Sequence, residues 1–207
     1  LDISRPFLIR KLLYMFNYPL HFEFKIGTFS NDFVAKDNDG QTLAYVRQQM
    51  FKLKEKVVVF SDESRSSEMF HIKADKWLDF NTVYSFTSAQ EGVNLGKVGR
   101  KGWASLWKSR YELFDENGKQ DLLIEEENPW IKFWDGLLTQ IPIVNFFTGY
   151  FFNPTYTIKR PDGELVGRFS KEKSFFGRRF TYQKLMEYEH GEELRSLLGL
   201  MMMVLLE

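Results

Sequence analysis

Seven cationic residues fall in two short runs: Lys97, Arg100 and Lys101 in the glycine-rich stretch GKVGRKG, and Lys171, Lys173, Arg178 and Arg179 around Phe175 and Phe176. Basic groups beside aromatic ones suit an anionic phospholipid surface, where each contributes about 1 kcal/mol near the headgroups. The commoner origin of such a run is a solvated face neutralised by nearby acids. In an extended strand, Arg178 and Arg179 would also face opposite sides. A third group is aromatic. Trp130, Phe133 and Trp134 follow an Asn128-Pro129 helix start and continue to Leu137 and Leu138 along one helical face. That stripe fits a membrane interface or a partner, and equally packing across a wall of the protein.

Other chemistries lack their residues. There is no Cys, which excludes disulfides, thiolate nucleophiles and Cys-based zinc sites. His21, His71 and His190 are scattered rather than set at helical spacing. Asp37-Asn38-Asp39-Gly40 resembles the centre of a calcium loop, but its first and last ligand positions would be Ala35 and Val46. The run 115–118 fails in the same way, with Leu113 and Ile124. No G-x-S-x-G elbow is present, and GKVGRKG has no Ser or Thr after its Gly-Lys. Glu125-Glu126-Glu127 reads as a solvated strand end. These readings predict no catalytic residue, no cofactor, no metal and no enzymatic activity. The 28 basic and 28 acidic residues leave a formal net charge of zero, which argues against a nucleic-acid partner.

The elements that must hold these residues are mostly strands. Aromatic and β-branched runs, many alternating with polar residues, occur at 21–27, 32–37, 42–49, 56–62, 69–74, 81–88, 109–115, 120–126, 155–160, 164–170 and 175–182. Turn signals ending in Gly40, Gly118 and Gly163 join several of them, and such Asn-Gly and Asp-Gly pairs supply the positive φ that tight hairpins need. The stretch 96–102 reads as a loop. About ten to twelve short strands at this spacing suggest an antiparallel barrel or sandwich. A short helix is expected at 10–16. No Pro/Gly/Ser-rich linker interrupts the chain, so 1–207 reads as one domain with a helical embellishment near 129–152.

The C-terminal stretch LRSLLGLMMMVLLE is built of helix formers and is apolar on nearly every side. Such a helix must be buried in protein or in lipid. Residues 194–206 span about 20 Å as a helix, against the ~30 Å of a bilayer core. A barrel of about twelve strands, by contrast, is too wide for its wall side chains to fill. The segment is therefore expected to plug the barrel rather than contact lipid or an oligomer partner.

The stretch YVRQQMFKLKEKVVVFSDE (45–63) resembles the signature of the LURP-one-related family, whose fold is related to the Tubby C-terminal domain and the phospholipid scramblases. Tyr45, Arg47, Gln48, Phe51, Leu53, Lys56 and Asp62 carry the likeness, and RYELFDENGK (110–119) repeats its theme of a strand running into an acidic Asn-Gly turn. The resemblance implies a twelve-stranded antiparallel barrel around a hydrophobic C-terminal helix. Tubby-type domains bind phosphoinositides; scramblases are associated with calcium and membranes, although no acidic segment here matches a scramblase calcium site. The expectation is a non-enzymatic binding module for anionic phospholipid headgroups or a membrane-proximal partner. The alternative is a ligand-free structural or regulatory interaction domain that uses the surface of 130–152. No signal peptide is visible in 1–18, so a cytoplasmic protein, peripheral to the membrane at most, is expected.

Overall fold

The computed structural model describes residues 16–25, 32–47, 56–75, 82–100, 110–127, 153–174, 177–189 and 191–206. Twelve strands run in chain order: β1 (Leu20–Phe24), β2 (Phe33–Lys36), β3 (Thr42–Arg47), β4 (Lys56–Phe60), β5 (Glu68–Ala74), β6 (Val83–Ser88), β7 (Asn94–Arg100), β8 (Arg110–Phe114), β9 (Gln120–Glu126), β10 (Thr155–Lys159), β11 (Leu165–Lys171) and β12 (Arg179–Lys184). One helix, α1 (Glu192–Leu206), follows them. Each strand pairs antiparallel with its sequence neighbours, and β1 closes the ring against β12 through Leu20–Tyr182 and Phe22–Phe180. A closed barrel leaves no unpaired strand edge.

The period-2 pattern decides which side chains point inward. Phe22, Phe33, Val46, Val59, Phe86, Val98, Leu113, Ile124, Ile158, Phe169 and Tyr182 take the inward positions of their strands and are almost wholly buried. The ring they line is filled by α1, of which every residue but Glu193 and Leu206 is buried. Its fit is tightest against β8 and β9. A Cβ added at Gly199 would lie 2.8 Å from Leu113 Cδ2 and 3.5 Å from Ile124 Cδ1. Among the described residues, no helix is long and apolar enough to cross a membrane.

Two of the acidic turns share one design. In 37–41, Asp37 Oδ1 accepts the backbone N–H groups of Asp39 at 3.0 Å and Gln41 at 2.8 Å, with Gly40 at φ 81°. In 115–119, Asp115 Oδ1 accepts those of Asn117 at 2.9 Å and Lys119 at 2.8 Å, with Gly118 at φ 83°. Each turn adds a residue to one strand, and the register slips beside it, at Ala35/Lys36 and Leu113/Phe114. One carboxylate oxygen in each turn is thus committed to its own backbone, as in a hairpin.

Residues 96–100 of the glycine-rich stretch are not a loop. They belong to β7, the one of the twelve strands that the alternation pattern does not reveal. Gly96, at φ 108°, lets the backbone pass where a Cβ would come within 2.3 Å of Phe114 O and 2.7 Å of Arg195 Cδ. Gly96 therefore serves close approach, not mobility. Of Glu125 to Glu127, which read as a solvated strand end, only Glu127 is exposed. Glu126 points into the barrel and is wholly buried, while Glu125 lies 3.6 Å from Arg110 and 3.8 Å from Lys159. The expected helix at 10–16 and the embellishment at 129–152 lie outside the described residues, apart from Phe16, which packs against the core without being helical.

Candidate cationic site at the barrel rim

Strand connections in this barrel alternate between two ends. The tight turns 37–41, 61–67, 89–93, 115–119 and 160–164 lie at the end where α1 begins. The predicted basic residues gather toward the other. Arg100 ends β7, Lys171 ends β11, Lys173 follows it, and Arg178 and Arg179 open β12. Strands β8, β9 and β10 stand between the two groups, so they form two patches rather than one. Lys101, Trp130, Phe133 and Trp134 lie outside the described residues.

The β7 patch is the weaker of the two. The Lys97 ammonium sits 5.5 Å from the centre of the Phe114 ring, on the outer face. The Arg100 guanidinium lies over Tyr111 at 5.9 Å, and its Nε is buried without a hydrogen-bond partner. Inward alternation with Gly96 and Val98 explains that burial: Arg100 faces the barrel mouth rather than the outer wall.

The β11–β12 patch has a different character. Arg178 stacks on Phe24 with its guanidinium carbon 3.9 Å from the ring centre, an arrangement that favours a planar cation. Burial pulls the Arg178 pKa down from the arginine norm. Arg179, one residue on, is exposed on the opposite side, across from Glu23 in the β1 register. Lys173 is exposed where the chain leaves β11. The backbone fixes this corner: Glu172 N–H donates to Arg179 O at 2.9 Å, and Phe24 N–H to Arg178 O at 3.0 Å.

The neighbouring carboxylates are already engaged. Glu23 accepts the Lys36 ammonium at 2.7 Å, and that bond holds its carboxyl below the usual carboxylate range. Glu172 accepts the Thr181 hydroxyl and lies 3.7 Å from His21 Nδ1. Lys173, Arg178 and Arg179 have no carboxylate within ion-pair distance among the described residues. The corner is therefore net positive: Lys173, Arg178 and Arg179 outnumber Glu172 and Glu23, and Glu23 feels Arg179 as well as Lys36. Among the described residues, no three His, Asp or Glu side chains gather as a metal-ligand set.

The LURP-one-related family model matches residues 42–184, well over half of the chain. The chain belongs to the LURP-one-related family. The match runs from β3 to the last residue of β12, so this LURP-one-related domain completes its barrel with β1 and β2 and fills it with α1 from outside the matched segment. No curated protein matches the sequence.

The sequence pattern did not reveal a second group of charges, at the start of α1. Arg195, inside the barrel, donates from Nε to Asp121 Oδ2 at 2.6 Å and from Nη1 to Glu116 at 3.1 Å. Arg160 donates to Glu192 through Nε at 3.2 Å and Nη2 at 2.9 Å, and also to Glu164. Tyr18 donates its hydroxyl proton to Glu193 at 2.8 Å. The one signal in the sequence was Arg195 itself, a lone cation in an apolar helix, which demands a buried partner.

Proposed function

We propose that this LURP-one-related domain is a non-enzymatic binding module for anionic phospholipid headgroups, which it meets through Lys173, Arg178 and Arg179. The observation that carries this reading is the net positive charge of the β11–β12 corner, where Lys173, Arg178 and Arg179 make no ion pair among the described residues and outnumber the adjacent Glu23 and Glu172. Phosphate oxygens supply the acceptors these cations lack. The contact is peripheral, because α1 fills the barrel and has no apolar face left over for a bilayer.

Vesicle flotation tests the proposal. The domain floats with vesicles containing phosphatidylserine or a phosphoinositide at low salt, releases as salt rises, and ignores phosphatidylcholine vesicles. Failure to float with anionic vesicles at low salt ends the headgroup reading.

A further inference from the structure

His21 of β1 lies on the outer face of the barrel beside the β11–β12 corner, and its side chain is 35% exposed. Its register partners are Thr181 of β12 on one side and Lys36 of β2 on the other. Its Nδ1 is 3.4 Å from Thr181 Oγ1 and 3.7 Å from Glu172 Oε1, the carboxylate next to Lys173. The Thr181 hydroxyl has a single proton, which it donates to Glu172. Its oxygen is then an acceptor toward His21, which places a proton on Nδ1. Nε2 is left as the nitrogen at which the ring gains or loses its charge.

Among the described residues, the charged groups that face the ring all belong to this corner. Lys36 comes from β2, Glu23 from β1 itself, Arg179 from β12, and Glu172 from the residue after β11. Arg168, also on β11, is one strand further away and is engaged with Glu127 at 3.4 Å. Glu23 registers the coupling: the Lys36 hydrogen bond lowers its pKa first, and Arg179 and His21 act in the same direction. Lys173, Arg178 and Arg179 already outnumber Glu23 and Glu172. A protonated His21 adds one more cation and pairs with Glu172, the acid that otherwise offsets Lys173 and Arg179. Histidine is the side chain whose ordinary charge change falls between about pH 5 and 8, so the corner is most cationic in mild acid.

We infer that His21 makes headgroup binding at this corner stronger in acid, its imidazolium closing on Glu172 and adding one positive charge beside Lys173, Arg178 and Arg179. The inference rests on the headgroup reading and adds its regulation by pH.

Phosphatidylglycerol vesicles are the probe, because a phosphodiester keeps its charge across the histidine range. Flotation is compared at about pH 7.5 and about pH 5.5, at constant salt. Affinity rises about fivefold from the higher pH to the lower, the share of one basic residue near the headgroups. His21→Gln loses that rise. His21→Lys, with a fixed charge, binds at the higher pH as tightly as the unaltered protein does at the lower. His71→Gln, on β5 and four strands away around the ring, keeps the rise. Equal affinity at both pH values, or a full rise in His21→Gln, overturns the inference and leaves the headgroup reading standing. His21→Lys binding no better than the unaltered protein at the higher pH also overturns it, since the loss in His21→Gln would then be structural. No flotation at either pH ends both readings.

Discussion

Arg195 of α1 and Asp121 of β9 meet inside the barrel wall, with Nη2 2.5 Å from Oδ2, across 74 residues of sequence. The Arg195 side chain is 5% exposed and that of Asp121 14%, so water does little to soften the contact. The pair sets how far the helix enters the barrel, because sliding α1 along its axis by one turn would part them. Removing one member of a buried pair leaves the other uncompensated, at about 3–5 kcal/mol. Arg195→Met is therefore expected to lower unfolding free energy by about 3 kcal/mol in urea titration. Arg195→Met with Asp121→Leu should regain a good part of that loss. A single variant as stable as the wild type would mean that apolar packing alone sets the depth of the helix.

Gly96 lies under the same arginine. Alanine there would need both a strained φ and space already held by Phe114 O, 2.3 Å away, and Arg195 Cδ, 2.7 Å away. The strain alone costs about 1–3 kcal/mol. Gly96→Ala should destabilise the domain at least that much, whereas Gly118→Ala, whose Cβ meets nothing within 4 Å, should cost less. Thermal unfolding of the two variants ranks them.

Glu23 and Lys36 give a pH-dependent increment of the acid kind. The Lys36 ammonium lowers the Glu23 pKa in the folded state. A depressed carboxylate stabilises the fold above its unfolded pKa and loses that contribution as pH falls through the folded value. Lys36→Met should thus be less stable than wild type at neutral pH, and the gap should close in acid. The pair is substantially exposed, so the gap stays below about 1 kcal/mol. Denaturant midpoints at neutral and acidic pH measure it; a gap that widened in acid would assign the wrong sign.

The two basic patches should behave differently on lipid. Arg179→Ala removes an exposed cation and is expected to weaken binding to anionic vesicles about fivefold, the equivalent of ~1 kcal/mol, with folding unchanged. Arg178→Ala should lose the same charge and also destabilise the domain, since its guanidinium covers Phe24. Lys97→Ala, on the β7 patch, should change binding little. Flotation of all three at low salt separates these outcomes.

The barrel was largely legible in the sequence because its signals are local. Alternation along 83–88 or 120–126 and the acidic glycine turns at 37–41 and 115–119 lie within single hairpins. The strand that escaped, β7, has glycine at two of the positions where alternation would show. Long-range pairing was not legible. Nothing near Asp121 announces an arginine 74 residues later, nor does Tyr18 announce Glu193, 175 residues away. The same limit applied to the basic clusters. Composition shows the cations, but only folding shows that Glu23 makes its ion pair with Lys36 and that Arg178 and Arg179 gather at one corner with more positive than negative charge.

Helix α1 follows all twelve strands and is their shared filling. On the ribosome, the wall is made before the helix that fills it. Strand β1, the first of the twelve to emerge, waits for β12 before the ring can close, and the closed ring still needs the fifteen-residue helix to fill it. Folding is thus set to finish in one late step rather than to accumulate as the chain emerges. A chain halted before Glu192 holds a row of inward aromatic residues with nothing to cover them, a surface that chaperones and proteases read as unfinished.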